Sequence, residues 1–217
     1  MDTDVATGPA TAGPVVSGTR HGQLVLVRHG ETVWSSAGRH TSRTDVPLTP
    51  RGEAQARALA PLLRGLDIAL ALTSPMARAA CTARLIGLDA VPEPDLHEWD
   101  YGRYEGVTTA TIRESVPGWT IWTHPVPGGE TEERVGARAD RVLARAVAAL
   151  DRGDVVLVAH GHFLRVVTAR YLGLAVNGGR LFTLDPARPC LLGTEHGNPV
   201  IRAWNLGTKL VDQWGGH

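Results

Sequence analysis

Three short apolar runs punctuate the chain: QLVLVR at Gln23–Arg28, IALALTS at Ile68–Ser74 and DVVLVAH at Asp154–His160. None of them alternates apolar with polar residues. A strand that is apolar throughout is buried on both faces, the habit of a parallel sheet covered by helices. Helical patterns fill the intervals. PRGEAQARALAPLLRG (Pro50–Gly65) opens with proline and closes with glycine, and Pro61 inside it predicts a kink or an early end. SPMARAACTARLIG (Ser74–Gly87) offers Ser74 as N-cap and Pro75 as first helical residue. ETEERVGARADRVLARAVAALDRG (Glu130–Gly153) carries one apolar stripe through Val135, Ala139, Val142, Leu143, Ala146, Val147 and Leu150, with glutamates at its positive end. HFLRVVTARYLG (His162–Gly173) is a further helix, and PCLLGTEH with PVIRAWN, joined around His196-Gly197-Asn198, reads as a hairpin at a sheet edge.

Strand and helix therefore alternate, which predicts an α/β fold: a three-layer α/β/α sandwich on a mostly parallel sheet. Residues 1–22 lack periodicity and read as a disordered tail, leaving a single domain over 23–217. The stretch from Val91 to Gly129 is loop-rich and aromatic.

Composition narrows the partners. Lys+Arg and Asp+Glu balance at 22 each, so no net field favours nucleic acid or an anionic membrane. No apolar run reaches spanning length, and the acidic N-terminus lacks a secretory pattern. Two cysteines, Cys81 and Cys190, stand outside any CxxC pair and read as reduced thiols. The expected location is the cytoplasm. Association as a homodimer is left open.

Ligands of open α/β sheets bind beyond the carboxyl ends of the strands. After the first run come Arg28, His29 and Gly30; after the second, Ser74 and Arg78; after the third, His160, Gly161 and His162. Two guanidiniums and the amides of a helix N-terminus suit a doubly charged tetrahedral oxyanion, with Gly30 and Gly161 admitting close approach of backbone. An imidazole beside a bound phosphate can attack phosphorus and form a phosphohistidine, kept unprotonated by the neighbouring cations. With the equatorial oxygens neutralised by arginine and a second imidazole, neither metal nor cofactor is needed. His160 and His162 have the spacing of a chelating pair, yet no cysteine or matched carboxylate pair accompanies them. The leaving alkoxide needs a proton. Glu98, Asp100 and Glu105 all lie in DLHEWDYGRYEG, and the residues alone do not rank them.

Several ordered motifs run from Leu24 to Asn205: LVRHGET with Trp34, GRHTSRTDVPLTPRGEAQA, TSPMARAACTA, HEWDYGRYEG, PGGET and VLVAHGH. Together they resemble the histidine phosphatase, or phosphoglycerate-mutase-like, superfamily. The resemblance implies His29 as phosphorylated nucleophile, Arg28, Arg78 and His160 as the rest of the phosphate pocket, and Glu98 as proton donor. Gly161 and Ser35 join the phosphate-binding set. Ser35 stands where the family usually has asparagine, and Ser42, beside Thr41, where it usually has glycine. These departures put substrate contacts in question and make Thr41, Ser42 and Arg43 candidates to touch substrate; Tyr101 and Trp122 in the aromatic stretch, and His124 at its rim, are further candidates. The stretch between Glu98 and His160 is compact and the chain stops soon after its last strand, which favours net hydrolysis over a mutase. Finer likeness is to the branch of sedoheptulose-bisphosphatase-like enzymes and actinobacterial acid phosphatases, which implies a small phosphorylated metabolite such as a sugar phosphate. A phosphoglycerate-type mutase and a non-catalytic or regulatory phospholigand binder are the alternatives.

Overall fold

A computed structural model describes residues 22–207, so the tail expected over 1–22 lies, Gly22 apart, outside the described residues. The apolar runs form strands β1 (Leu24–Arg28), β2 (Ile68–Thr73) and β4 (Asp154–Ala159) of one six-stranded sheet. The other strands are β3 (Val91–Pro92), β5 (Pro189–Glu195) and β6 (Asn198–Ala203), in the order β3-β2-β4-β1-β5-β6. Pairing is parallel among β1, β2, β3 and β4, and antiparallel from β1 to β5 and from β5 to β6. The hairpin is thus the sheet's edge, and its turn places His196 and Gly197 both at positive φ, at 49° and 80°. β3, two residues long, is too short to leave a pattern in the sequence.

Period-two geometry explains why the runs are apolar throughout. Leu24 and Leu26 face one layer with Val155 and Leu157, while Val25 and Val27 face the other with Val156 and Val158. The first face is covered by α6 (Glu132–Val147) and α7 (Gly161–Tyr171), the second by α3 (Ala60–Leu63) and α4 (Ala77–Leu85), with α2 (Pro50–Arg57) packed on α4. Short helices α1 (Val33–Ser36) and α5 (Thr109–Ser115) lie in the connecting segments.

The predicted helices hold, with boundaries moved for identifiable reasons. Pro61 has no N–H to continue the ladder, and the Pro50–Gly65 stretch divides into α2 and α3. Thr131 caps α6, accepting from the Arg134 amide, so the helix starts at Glu132; Glu130 stays outside it. Beyond Val147 only a 3-10 turn at Leu150–Arg152 remains before Gly153. Ser74 is not the cap of α4. The helix begins at Ala77, whose amide donates to the Asp45 carboxylate from a distant loop at 2.9 Å. The serine hydroxyl is committed elsewhere.

Candidate active site

The ends of β1, β2 and β4 lie side by side. The His29 amide donates to the Ala159 carbonyl at 2.9 Å and the Ser74 amide to the Val158 carbonyl at 2.9 Å. His29, Ser74 and His160 are delivered to one place by the register of the sheet. The His29 and His160 rings meet edge to face, 5.2 Å between centroids.

His29 is buried, and its Nδ1 lies 2.7 Å from the Gly30 carbonyl oxygen. A carbonyl only accepts, so Nδ1 carries the proton and Nε2 keeps its lone pair. Burial, then the charges of Arg28 and Arg78, hold this imidazole well below the ordinary histidine range. The ring is neutral, with the lone pair of one nitrogen available. His160 is set the other way round. Its Nε2 lies 2.8 Å from Ser74 Oγ, which already accepts from the Met76 amide at 3.3 Å. The hydroxyl can give its proton to Nε2, an arrangement that leaves the ring's own proton on Nδ1, a buried nitrogen with no hydrogen-bond partner. Burial, then Arg78, holds His160 neutral too.

Arg28 donates Nη1 to the Leu184 carbonyl at 2.6 Å. Arg78 is fully buried and grips a loop, donating Nη1 to Thr44 O at 3.0 Å and Nη2 to Ser42 O at 2.9 Å and Thr41 O at 3.3 Å. Its carboxylate neighbour Asp45 stands 3.8 Å away. The Nε of both arginines is buried without a partner, like His160 Nδ1. A buried donor left unpaired costs about 1–3 kcal/mol, and the charges of both arginines reach His29; of the three residues Arg28 lines its cavity, while Arg78 and His160 lie behind the lining.

Geometry ranks the acidic candidates. Glu105 holds the Ser42–Thr44 loop, accepting from Ser42 N, Ser42 Oγ and Thr44 N. Asp100 takes Arg43 at 2.6 Å and the Gly102 amide at 3.0 Å. Glu98 lines the same cavity as His29, and the other two do not. Its Oε1 accepts from Trp99 N and Phe163 N, at 2.9 and 2.8 Å, and its Oε2 from His162 N at 3.0 Å. Burial raises its pKa above the ordinary carboxyl value, against the pull of those amides and of Arg28. That carboxyl is suited to hold a proton and give it up.

The His29 cavity measures about 180 Å³. Arg28, Ser35, Thr41, Tyr101 and Gly161 from the expected set line it. Ser35 reaches it with its hydroxyl already engaged, accepting from Thr32 N and donating to Thr32 O in a helix-capping box. Ser42 and Arg43 line a neighbouring cavity instead, with Arg43 paired to Asp100. Trp122 and His124 line a third, beside the start of α6. Trp122 meets the site only through its ring, which packs 5.3 Å from His162 and under the Arg165 guanidinium.

The glycines act differently from expectation. A Cβ on Gly30 would lie 2.3 Å from the Gly52 carbonyl oxygen, so the residue makes room for the first turn of α2. One on Gly161 would meet Arg28 Nε at 3.3 Å, so this glycine lets the guanidinium lie under α7. Sequence reasoning missed Arg165, which lines the cavity and donates Nε to Gly179 O at 3.0 Å. Its signal was available: it stands one helical turn after Gly161 on the same face of α7. Arg39 and His40 also line the wall. His160 and His162 turn to different hydroxyls, Ser74 and Tyr101, rather than converging as a chelating pair. Among the described residues no group of three or more His, Cys, Asp or Glu could hold a metal ion.

Residues 24–207 match the model of the histidine phosphatase superfamily, branch 1. An acid phosphatase of Mycobacterium tuberculosis is 44% identical over 183 residues, 83% of this chain and 90% of that protein. A sedoheptulose 1,7-bisphosphatase of Saccharomyces cerevisiae is 35% identical over 187 residues, 71% of this chain and 69% of its own. Among solved structures, the product of a Mycobacterium tuberculosis open reading frame superposes with a TM-score of 0.84 at 42% identity, covering 87% of this chain and 100% of that one. With the family model matched over residues 24–207, the chain belongs to branch 1 of the histidine phosphatase superfamily.

Proposed function

We propose that this chain, a phosphatase of the histidine phosphatase superfamily, hydrolyses small phosphate monoesters, sugar phosphates foremost, in the cytoplasm and without a metal, through a phosphohistidine formed in one catalytic domain. The observation that carries the reading is the His29 ring. Its Nδ1 proton is tied to Gly30, leaving Nε2 as a neutral nucleophile amid Arg28, Arg78 and His160.

In the first step His29 Nε2 bonds to phosphorus as the ester P–O bond breaks, and Glu98 gives its proton to the departing alkoxide. The Nε of Arg28 and Arg78 and the Nδ1–H of His160 supply donors for the phosphoryl oxygens. In the second step the Glu98 carboxylate takes a proton from water, the hydroxide oxygen bonds to phosphorus, and the P–N bond returns its pair to Nε2. Inorganic phosphate leaves. A cavity of about 180 Å³ suits a small substrate, and Arg39 and Arg165 on its wall favour one carrying a second acidic group. The Saccharomyces cerevisiae relative, named for a sugar bisphosphate, supports the same class.

Phosphate release over sugar phosphates, phosphoglycerates and nucleotides, measured in EDTA, tests this. Rapid-quench labelling with ³²P substrate should mark His29 and fail in His29→Ala. Isomer without free phosphate would mean a mutase. Neither product nor label would mean a binder, and activity lost in EDTA and restored by a divalent ion would mean metal chemistry.

A further inference from the structure

The PGGET motif ends in Glu130 and Thr131, and the two-step reaction uses neither. Thr131 caps α6. Glu130 does something else. Its carboxylate takes Arg138, two helical turns along α6, through Nε–H to Oε1 at 2.8 Å and Nη2–H to Oε2 at 2.7 Å. The rest of that guanidinium faces the segment leading into Glu98. Nη1 donates to Asp95 O at 2.6 Å and His97 O at 2.9 Å, and Nη2 to Glu98 O at 3.4 Å. A guanidinium has five N–H donors, and all five are engaged.

The same group also touches the other support of the Glu98 carboxyl. Its carbon sits 4.5 Å from the centroid of the Phe163 ring, and the Phe163 amide donates to Glu98 Oε1 at 2.8 Å. Beyond Glu98 the motif holds the chain again. Trp99 Nε1 donates to Glu130 O at 2.9 Å, and the Glu130 amide donates to Asp100 O at 3.0 Å. The contact is too close for a side chain, since a Cβ on Gly129 would lie 2.4 Å from Asp100 O. The backbone is therefore tied on both sides of Glu98 to one ion pair, whose members are each 13% exposed.

We propose that Arg138, oriented by Glu130, is the positioning residue that sets where the Glu98 carboxyl stands relative to the leaving oxygen. It acts through the 95–98 carbonyls and Phe163 and touches no substrate. This rests on the reading of Glu98 as proton donor, and the test separates the two. A departing alkoxide needs the proton; a departing nitrophenolate is stable without it. A misplaced acid should therefore slow an alkyl ester and spare an activated aryl ester, whereas a general loss of structure slows both alike.

The assay is kcat/KM on glycerol phosphate and on p-nitrophenyl phosphate for the full chain and for Glu98→Gln, Arg138→Met and Arg138→Lys. Glu98→Gln should lower the alkyl-to-aryl ratio by about 100-fold, the scale of general acid catalysis. Both Arg138 variants should lower it by about tenfold or more, lysine included, because three donors on a flexible stem cannot reproduce five in a plane. If Arg138→Met does not fold, Arg138→Lys and Glu130→Gln carry the measurement. An unchanged ratio in the Arg138 variants, beside a lowered one in Glu98→Gln, overturns the positioning role alone. An unchanged ratio in Glu98→Gln overturns the proton-donor reading, and the positioning role with it.

Discussion

Unfolding would give water access to four imidazoles that the native fold keeps neutral: His29, His40, His160 and His162. Burial is the largest cause in each, and it pushes His40 down to about 4 and the others well below the ordinary 6.5. The sign follows from linkage. Below about pH 6.5 the unfolded chain binds protons that the native chain refuses, so stability present above that value is lost as the pH falls. Each such proton is worth about 1.4 kcal/mol per pH unit, so four give a limiting slope of about 5.5 kcal/mol per unit. Glu98 works against this. Its native pKa is raised, so just above the unfolded value of 4.5 the native state holds the extra proton and returns up to one proton's worth of the slope. For a domain stable by about 5–15 kcal/mol, the balance predicts unfolding within about one to three pH units below 6.5. Urea titrations followed by circular dichroism, from pH 8 to 4.5 in phosphate-free buffer, measure it. The unfolding free energy should be level above about pH 7.5 and fall by about two to four protons' worth between about pH 6 and 5. His40→Gln should remove about one proton from that slope, roughly 3 kcal/mol across the window from 6.5 to 4. A slope below one proton would refute the reasoning, because the imidazoles would then be charging inside the folded protein.

Three further outcomes follow from single contacts. Gly30→Ala drives a Cβ to 2.3 Å from the Gly52 carbonyl and should cost about 1–3 kcal/mol, read as a lowered Tm; an unchanged Tm would mean that α2 gives way freely. Ser74→Ala strands His160 Nε2, frees the ring to change tautomer and should slow phosphoryl transfer about 10- to 100-fold, a loss of the size expected for one buried partner; ¹⁵N shifts of His160 that still show the proton on Nδ1 alone would contradict it. Arg43→Ala removes a side chain 78% exposed and bonded to Asp100, so kcat/KM should change by less than about threefold and stability by less than about 1 kcal/mol; a loss above tenfold would place Arg43 on the substrate.

What could be read from the sequence was whatever local pattern encodes. Apolar runs, prolines and the stripe on α6 are properties of neighbouring residues, and the strands and helices they predict are present. The strand-end rule then places Arg28, His29 and His160 at one end of the sheet from the sequence alone. Long-range contacts left no such trace. Nothing in SPMARA says that Asp45 caps the helix and leaves Ser74 to orient an imidazole. Glu98 could not be ranked over Glu105, because the difference is what each carboxylate reaches: one the first turn of α7, the other the amides of a loop. Trp122 and His124 are candidates by their place in the aromatic stretch, and they line a different hollow because the 121–126 segment lies beside the start of α6, while Tyr101 of the same stretch reaches the His29 cavity.

His29 and His160 leave from β1 and β4, the middle pair of the sheet. Both strands are hydrogen-bonded on two sides and buried on both faces. Elements so enclosed open only when the whole molecule opens, so their amides should be among the last to exchange with solvent. The cavity wall comes from a different stock: the 38–41 loop, the first turns of α7 and Leu184. Chemistry and recognition are thus carried by parts of different local stability. Drift in the loops can change which ester fits while the phosphoryl-transfer geometry stays fixed. Conditions that blur His29 against His160 will be those that unfold the protein, and activity and fold should fail together.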